Sequence, residues 1–369
     1  MSRVYLDFIR YCLHQKEELP ERIITICWED FIAFCRRQGV LGLVLEGMDR
    51  SKLSVPSNVV LEWFSYVERI KSENLLLDKR SVEVSHFFKE KNYRSCILKG
   101  QANALYYPDP ELRSPGDIDI WVDGNEIEII KLILKKYPDA HYSIHHVKFP
   151  IYADTSVEVH YRPVYMSNWF KDKVLQRFIH KKEEEQFEHL EKLKDGKIGV
   201  LTNEFNLVFQ MLHMYNHFFT SRNNLKQMID YYYLLKKSFN EETDTKEVLA
   251  LIDDLGVKKY AAGMMWIQKE ILGIEEDALL LTPNSEYGKI ILREMLTFGN
   301  RMESSKLSLV IHQIVSNLRL IPYFPFEVLI NPLFLVWHQW WKMKVRWFLK
   351  RWRAGNGGTG TCSATIGVG

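Results

Sequence analysis

The chain has 369 residues, of which 46% are hydrophobic, enough for two or three domains of ordinary size with real cores. A formal net charge of only +2 excludes a dedicated nucleic-acid binder with a broad basic face. The five cysteines (Cys12, Cys27, Cys35, Cys96, Cys362) are odd in number and form no CxxC pair, which fits neither a disulfide framework nor a zinc ribbon and points to a reducing compartment.

Residues 1–92 read as helical throughout. The opening "MSRVYLDFIRYCLHQKEELPE" has no long apolar stretch and reads as an amphipathic helix, not a signal peptide. "EDFIAFCRRQGVLGLVLEGM" and "NVVLEWFSYVERIKSENLLLDKRSVEVSHFFKEK" repeat apolar residues at three- and four-residue spacing, with breaks at Pro20 and "SKLSVPSN". The character changes at "YRSCILKG", a short apolar strand ended by Gly100. "QANALYY" supports about two helical turns, "PDPELRSPG" is a loop, "DIDIWV" a second strand and "GNEIEIIKLILKKY" a helix after Gly124. "YSIHHVKFPIY" and "SVEVHYRP" add two strands, so residues 93–168 form a small α/β or α+β unit.

From about residue 170 helices return. "KKEEEQFEHLEKLKDGK" is charged enough for a solvated helix or connector. "NEFNLVFQMLHMYNHFF" and "NLKQMIDYYYLLKKSF" are amphipathic, and a helical region spans 169–353. The last sixteen residues hold six glycines and no charge, so 354–369 is expected to be disordered. No run of 18 apolar residues occurs, so no spanning helix is expected, and cytoplasm is the expected location.

The chemistry concentrates in "RSPGDIDIWV". Asp117 and Asp119 alternate with Ile118 and Ile120, so in a strand they share one face. Glu158 in "SVEVH" repeats the pattern, and if its strand neighbours "DIDIWV" three carboxylates converge. Such a cluster raises its own pKa values unless cations neutralise it, and two Mg²⁺ ions would do so while clamping a phosphoryl displacement. Upstream, the turn at Gly100 brings backbone N–H groups close to phosphate oxygens. Lys99 and Arg113 are the neighbouring cations.

Strand, glycine turn, helix, arginine loop, Gly-Asp-x-Asp strand and Glu strand, in that order, resemble the nucleotidyltransferase superfamily typified by DNA polymerase beta. "ILKGQANALYYPDPELRSPGDIDIWV" and "VEVHYRP" are more closely similar to the bacterial group described as uncharacterised nucleotidyltransferases, and the likeness extends to "LHMYNHFFTSRNNLKQMIDYYYLL". The resemblance implies an α+β fold: an α/β-type nucleotidyltransferase core with a small mixed sheet, flanked by N- and C-terminal helical domains. It implies Mg²⁺-dependent transfer, with Mn²⁺ as the alternative ion, of a nucleoside monophosphate from a triphosphate, ATP by default, to a hydroxyl-bearing acceptor of unknown identity, with pyrophosphate released. Asp117 and Asp119 match the metal-binding pair, Glu158 the third carboxylate and Gly100 the first residue of the glycine turn. Gln101 stands where the superfamily usually has serine or glycine, removing one phosphate contact that Lys99 and Arg113 would replace. Lys226 and Asp230, plainly an i, i+4 helix ion pair, are implied to help bind nucleotide or acceptor.

Other clusters have plainer readings. His213 and His217 share a helix face at metal-binding spacing, without a third ligand or an HExxH glutamate. His145 and His146, if both lie in a regular strand, point to opposite faces, while His160 shares the face of Glu158. Five of the ten tryptophans fall between Trp337 and Trp352, beside Lys342, Arg346, Lys350 and Arg353, in a helix over 336–353 that either packs inward or meets a membrane or protein partner. The competing functions are a catalytically degenerate nucleotide- or partner-binding module and a peripheral membrane scaffold.

Overall fold

The computed structural model describes residues 2–14, 19, 21–51, 53–220, 223–299 and 314–356. Four helices open the chain: α1 (Ser2–Leu13), α2 (Trp28–Gln38), α3 (Leu41–Ser51) and the long α4 (Ser57–Glu90). Gly39 divides what the periodicity suggests is one helix into α2 and α3. It sits at φ +67°, in the left-handed region, and its N–H caps the carbonyl of Arg36.

The sheet follows as β1 (Ser95–Ile97), β2 (Ile118–Val122), β3 (His146–Lys148) and β4 (Val157–His160). Its spatial order is β1-β2-β4-β3, with β2 and β4 parallel and the two outer pairs antiparallel. Between β1 and β2 lies α5 (Gln101–Ala104), a single turn where the sequence supports two. Between β2 and β3 lies α6 (Glu126–Lys136), capped by the Asn125 side chain.

Strand alternation sorts the sheet into two faces. Ile118, Ile120 and Val122, with Val147, Val157 and Val159, join Val84 and Phe88 of α4 and Ile129, Ile130 and Ile133 of α6 in one buried cluster. On the opposite face Trp121 packs against Phe187 and Phe205 of the helical region. Asp119 and Glu158 lie on this second face, where sheet and helices meet.

The helical region comprises α7 (Trp169–Glu188), α8 (Asn203–Thr220), α9 (Leu225–Asn240), α10 (Lys246–Asp254), α11 (Lys258–Trp266) and α12 (Ser285–Gly299), then a long C-terminal helix Pro325–Asn356. It is not wholly helical. The charged segment read as helix or connector ends in a hairpin, β5 (Leu190–Leu193) and β6 (Gly196–Gly199), closed by a two-residue Lys194-Asp195 turn. A bridge from Val200 to Ile97 ties this hairpin to the edge of the main sheet.

Trp341, Val345 and Leu349 of the C-terminal helix are buried against the sheet cluster, so one side of the aromatic helix packs inward. The glycine-rich tail expected from 354 onward starts inside this helix, and residues 357–369 lie outside the described residues. Among the described residues, no helix is long and apolar enough to cross a membrane. The fold is α+β, with a small mixed sheet set among helices.

Candidate active site

The parallel pairing of β2 and β4 puts Asp119 directly beside Glu158. Both neighbours of each are apolar and inward-facing, so the two carboxylates are turned together toward the helical side. Asp117 lies just before β2, exposed in the loop at the same end.

Asp119 is almost fully buried at 1% exposure. Its Oδ2 lies 2.8 Å from Lys99 Nζ, and its Oδ1 lies 2.9 Å from His160 Nε2. Burial alone would raise its pKa, but Lys99 and His160 overcome that and hold it well below the usual carboxylate range. Glu158 goes the other way: burial, then repulsion from Asp119 and Asp117, raises it. Lys99 loses hydration by burial, yet Asp119, Asp117 and Glu158 more than compensate and keep its ammonium charged. Three carboxylates therefore act on the Lys99 ammonium, with the exposed Lys148 Nζ 4.0 Å from Glu158 Oε1, a set of hard oxygen donors that suits a divalent cation.

Gly100 turns the chain between Lys99 and α5 at φ +61°, ψ −112°, a region unfavourable to any residue with a Cβ. A Cβ there would lie 3.3 Å from the Asp117 carbonyl oxygen, so the glycine also permits close approach of the two loops. The Gln101 side chain is directed away, donating to Asp78 Oδ1 at 2.5 Å and to the Asn74 carbonyl at 3.4 Å on α4. It braces the turn against α4, and the missing hydroxyl at this position is not replaced by the Gln101 amide.

Two assignments from the sequence need correction. Arg113 is not a spare cation for phosphate: it is buried and bidentate to Asp230, Nε to Oδ1 and Nη2 to Oδ2, both at 2.9 Å. Tyr107 Oη donates to Asp230 Oδ1 at 2.7 Å, and Asn103 Nδ2 to Oδ2 at 3.3 Å. Asp230 thus ties the 107–113 segment to α9 and is not the partner of Lys226. Burial opposes ionisation of both groups, but their mutual attraction keeps Asp230 below and Arg113 above their ordinary values. Lys226 lies half-buried under the 113–117 loop, with Nζ 3.5 Å from the Pro115 carbonyl. Burial, with Arg113 nearby, lowers its pKa to about 8, although Asp230 and Asp117 pull the other way.

Histidines complete the surroundings. His213 Nε2 lies 3.4 Å from Lys99 Nζ, and its ring is 4.3 Å from that of His217. Burial, then the Lys99 charge, lowers both, His217 to about 4. His160, read from the sequence as sharing the Glu158 face, is in direct contact with Asp119. His145 precedes β3 in a bend, so the alternation rule that separates it from His146 does not apply. Ring nitrogens of His145, His146 and His160 all lie within 4.8 Å of one another, and so do ligand atoms of Asp119, Glu158 and His160.

From His145 the chain of rings continues to Tyr165, 4.9 Å away, which stacks on Phe334. Tyr165 and Phe334 line a cleft of about 760 Å³ together with Arg162, Trp169, Asp172 and Trp337. A second cleft, of about 730 Å³, adjoins it between α8 and the C-terminal helix.

Residues 25–273 match the model of a family described as "Uncharacterised nucleotidyltransferase". No curated protein matches the chain. Among solved structures, an antigenic nucleotidyltransferase-like protein from Paracoccidioides brasiliensis aligns with 55% of this chain and 96% of its own, at 14% identity and a TM-score of 0.30, too loose an overlap for any positional inference. The family match spans two thirds of the sequence and includes the glycine turn, both acidic strands and helices α8 and α9: the chain belongs to the uncharacterised nucleotidyltransferase family.

Proposed function

We propose that this protein transfers a nucleoside monophosphate from a nucleoside triphosphate, ATP in the simplest case, to a hydroxyl-bearing acceptor, with release of pyrophosphate. The observation that carries this reading is the pairing of Asp119 with Glu158 on adjacent parallel strands, beside Asp117 and Lys99. The donor set is hard carboxylate oxygen, which fits Mg²⁺, or Mn²⁺. Asp117, Asp119 and Glu158 would hold the ion. When bound, it supplies Lewis-acid neutralisation of phosphate oxygens and lowers the pKa of an acceptor hydroxyl.

The protein's own groups have separable roles in this reading. Lys99, between Asp119 and His213, offers its ammonium to the triphosphate. Lys226 offers a second cation beside the Gly116 backbone, and an arriving phosphate would draw its lowered pKa back up. The raised pKa of Glu158 suits a group that accepts a proton from the acceptor. Gly100 lets the backbone approach phosphate closely, while the Arg113–Asp230 pair holds the loop that presents Asp117. The aromatic cleft is taken as the acceptor's approach, because it is a concave surface whose Tyr165 and Phe334 are linked by ring contacts to His145, beside the acidic face.

Thermal melts with each of the four nucleoside triphosphates, with and without Mg²⁺, test this directly. The reading expects stabilisation that needs both nucleotide and metal. Absence of any metal-dependent shift in folded protein would overturn it.

A second surface bears on where the reaction takes place. Phe326, Leu329, Leu333, Val336, Trp340, Met343 and Trp347 are all exposed along the C-terminal helix, at alternating spacings of three and four. Lys344, Arg346 and Arg351 flank this seam. In a parallel pair of such helices these like charges would face one another, whereas an anionic lipid surface complements them. We infer that this face rests on anionic bilayers. Flotation with vesicles containing phosphatidylserine, but not phosphatidylcholine alone, is expected. Unchanged flotation of a Leu333→Glu/Trp340→Glu variant, or dimerisation lost in that variant without lipid, would refute the inference.

A further inference from the structure

We propose that His145, His146 and His160 form a binding site for a borderline divalent cation of the Zn²⁺ class, distinct in ligand chemistry from the carboxylates it adjoins. The three rings come from two segments, a bend entering β3 and the end of β4, which the antiparallel β3–β4 register brings together: His146 and His160 are direct cross-strand partners. The ring of His145 meets that of His146 at 90° with centroids 4.4 Å apart, and lies 5.4 Å from that of His160.

Convergence is closer than ring packing requires. His145 Nε2 and His146 Nδ1 are 2.9 Å apart, and a ring nitrogen from each of the three residues falls within a 4.8 Å circle. Tetrahedral Zn²⁺, with Zn–N bonds of about 2.0–2.1 Å, needs nitrogens roughly 3.3–3.4 Å apart. Such nitrogen-rich ligation suits Zn²⁺, Co²⁺ or Ni²⁺ and is foreign to Mg²⁺.

The supports around the rings are those that metal-ligating imidazoles use. His160 Nε2 contacts Asp119 and His146 Nε2 lies 3.5 Å from Glu158 Oε2, the kind of carboxylate backing that orients a ligating ring; the other nitrogens of these rings lie 3.4 Å from the Arg162 carbonyl and 3.2 Å from Ser143 Oγ, contacts that a bound ion would replace. The His145 carbonyl accepts from the Tyr161 and Arg162 N–H groups, and Ser143 Oγ lies 3.2 Å from His145 Nδ1.

The inference rests on ligand geometry and stands apart from nucleotidyl transfer. Full-length protein stripped with chelator would be titrated with Co²⁺ and followed by visible absorption, then with Zn²⁺ by calorimetry. The expected result is one ion per chain, an intense tetrahedral Co²⁺ spectrum, and affinity at least about 10–100-fold weaker in His145→Ala and in His146→Ala. Asp117→Asn should bind Zn²⁺ as wild type does. His145→Ala should keep its Mg²⁺-dependent nucleotide binding, which separates failure of this site from failure of the transferase reading. A weak octahedral Co²⁺ spectrum, or wild-type affinity in both histidine variants, would overturn the proposal. If either variant fails to fold, the wild-type spectrum and stoichiometry decide alone.

Discussion

The buried pair between Arg113 and Asp230 offers a sharp quantitative test, because the sequence and the structure give Arg113 different work. In Arg113→Ala, Asp230, 3% exposed in the intact protein, would keep Tyr107 and Asn103 as hydrogen-bond donors and Lys226 as a nearby cation, without its bidentate partner. Removing one partner of a buried ion pair costs about 3–5 kcal/mol. A shift of 1 kcal/mol moves Tm by about 2–4 °C in a domain of 150–250 residues, so a fall of roughly 6–20 °C is expected. Replacing both partners, as Arg113→Met/Asp230→Leu, removes the unpaired charge but leaves Tyr107 Oη and Asn103 Nδ2 without their acceptor, at about 1–3 kcal/mol each, so recovery is expected to be partial.

The pH dependence has a definite sign. The folded pKa of Asp230 is depressed, so its stabilisation is present above the unfolded carboxylate value, near 3.8, and is lost as pH falls through the lower folded value. That acid limb should flatten in the double variant. Differential scanning calorimetry against pH measures both effects. An Arg113→Ala protein that melts like wild type but no longer binds triphosphate would refute this reasoning and return Arg113 to the phosphate site.

Glu158→Gln should weaken Mg²⁺-nucleotide binding at least about tenfold while raising stability by roughly 1 kcal/mol, since it removes a carboxylate repelled by its neighbours; urea unfolding and calorimetry read the two separately. Because Glu158 titrates above an ordinary glutamate, metal affinity should decline on mild acidification, and should lose that dependence in the Gln variant. Gly100→Ala should cost about 1–3 kcal/mol through backbone strain alone, seen as a lower denaturation midpoint. Lys226, observed by NMR after reductive methylation, should titrate near 8 and move upward when a triphosphate analogue binds.

Much of the acidic site is legible in the sequence because strand alternation is a strong local signal. Isoleucine and valine on either side of Asp119 and Glu158 fix which way the carboxylates face before any tertiary contact is known. Whether β2 and β4 are neighbours is left open by the sequence, and the fold supplies both the pairing and its register. Charge obscures the β5–β6 hairpin: "LEKLKDGKIG" alternates weakly, and its two-residue loop is Lys194-Asp195, with Gly196 already paired to Leu193 in β6, so the sequence carries no Asn-Gly or Asp-Gly at the loop positions. The partner of Asp230 could not be read locally. Lys226 is four residues away on one helix, but Arg113 is 117 positions distant, and only the folded chain shows that the arginine fork fits. The same holds for Gln101, whose partner Asp78 comes from α4. Alternation separates His145 from His146 only if both are strand residues, and the strand begins at His146.

The central claim, that Asp119 and its neighbouring carboxylates bind metal-complexed nucleotide, is tested most directly by isothermal titration of the four triphosphates, as non-hydrolysable analogues. Wild type and Asp119→Asn would be compared with and without Mg²⁺. The account predicts saturable binding of at least one nucleotide to wild type, dependent on Mg²⁺ and abolished in the variant. Binding that is indifferent to metal and to Asp119→Asn, or no binding at all by folded wild-type protein, would contradict it.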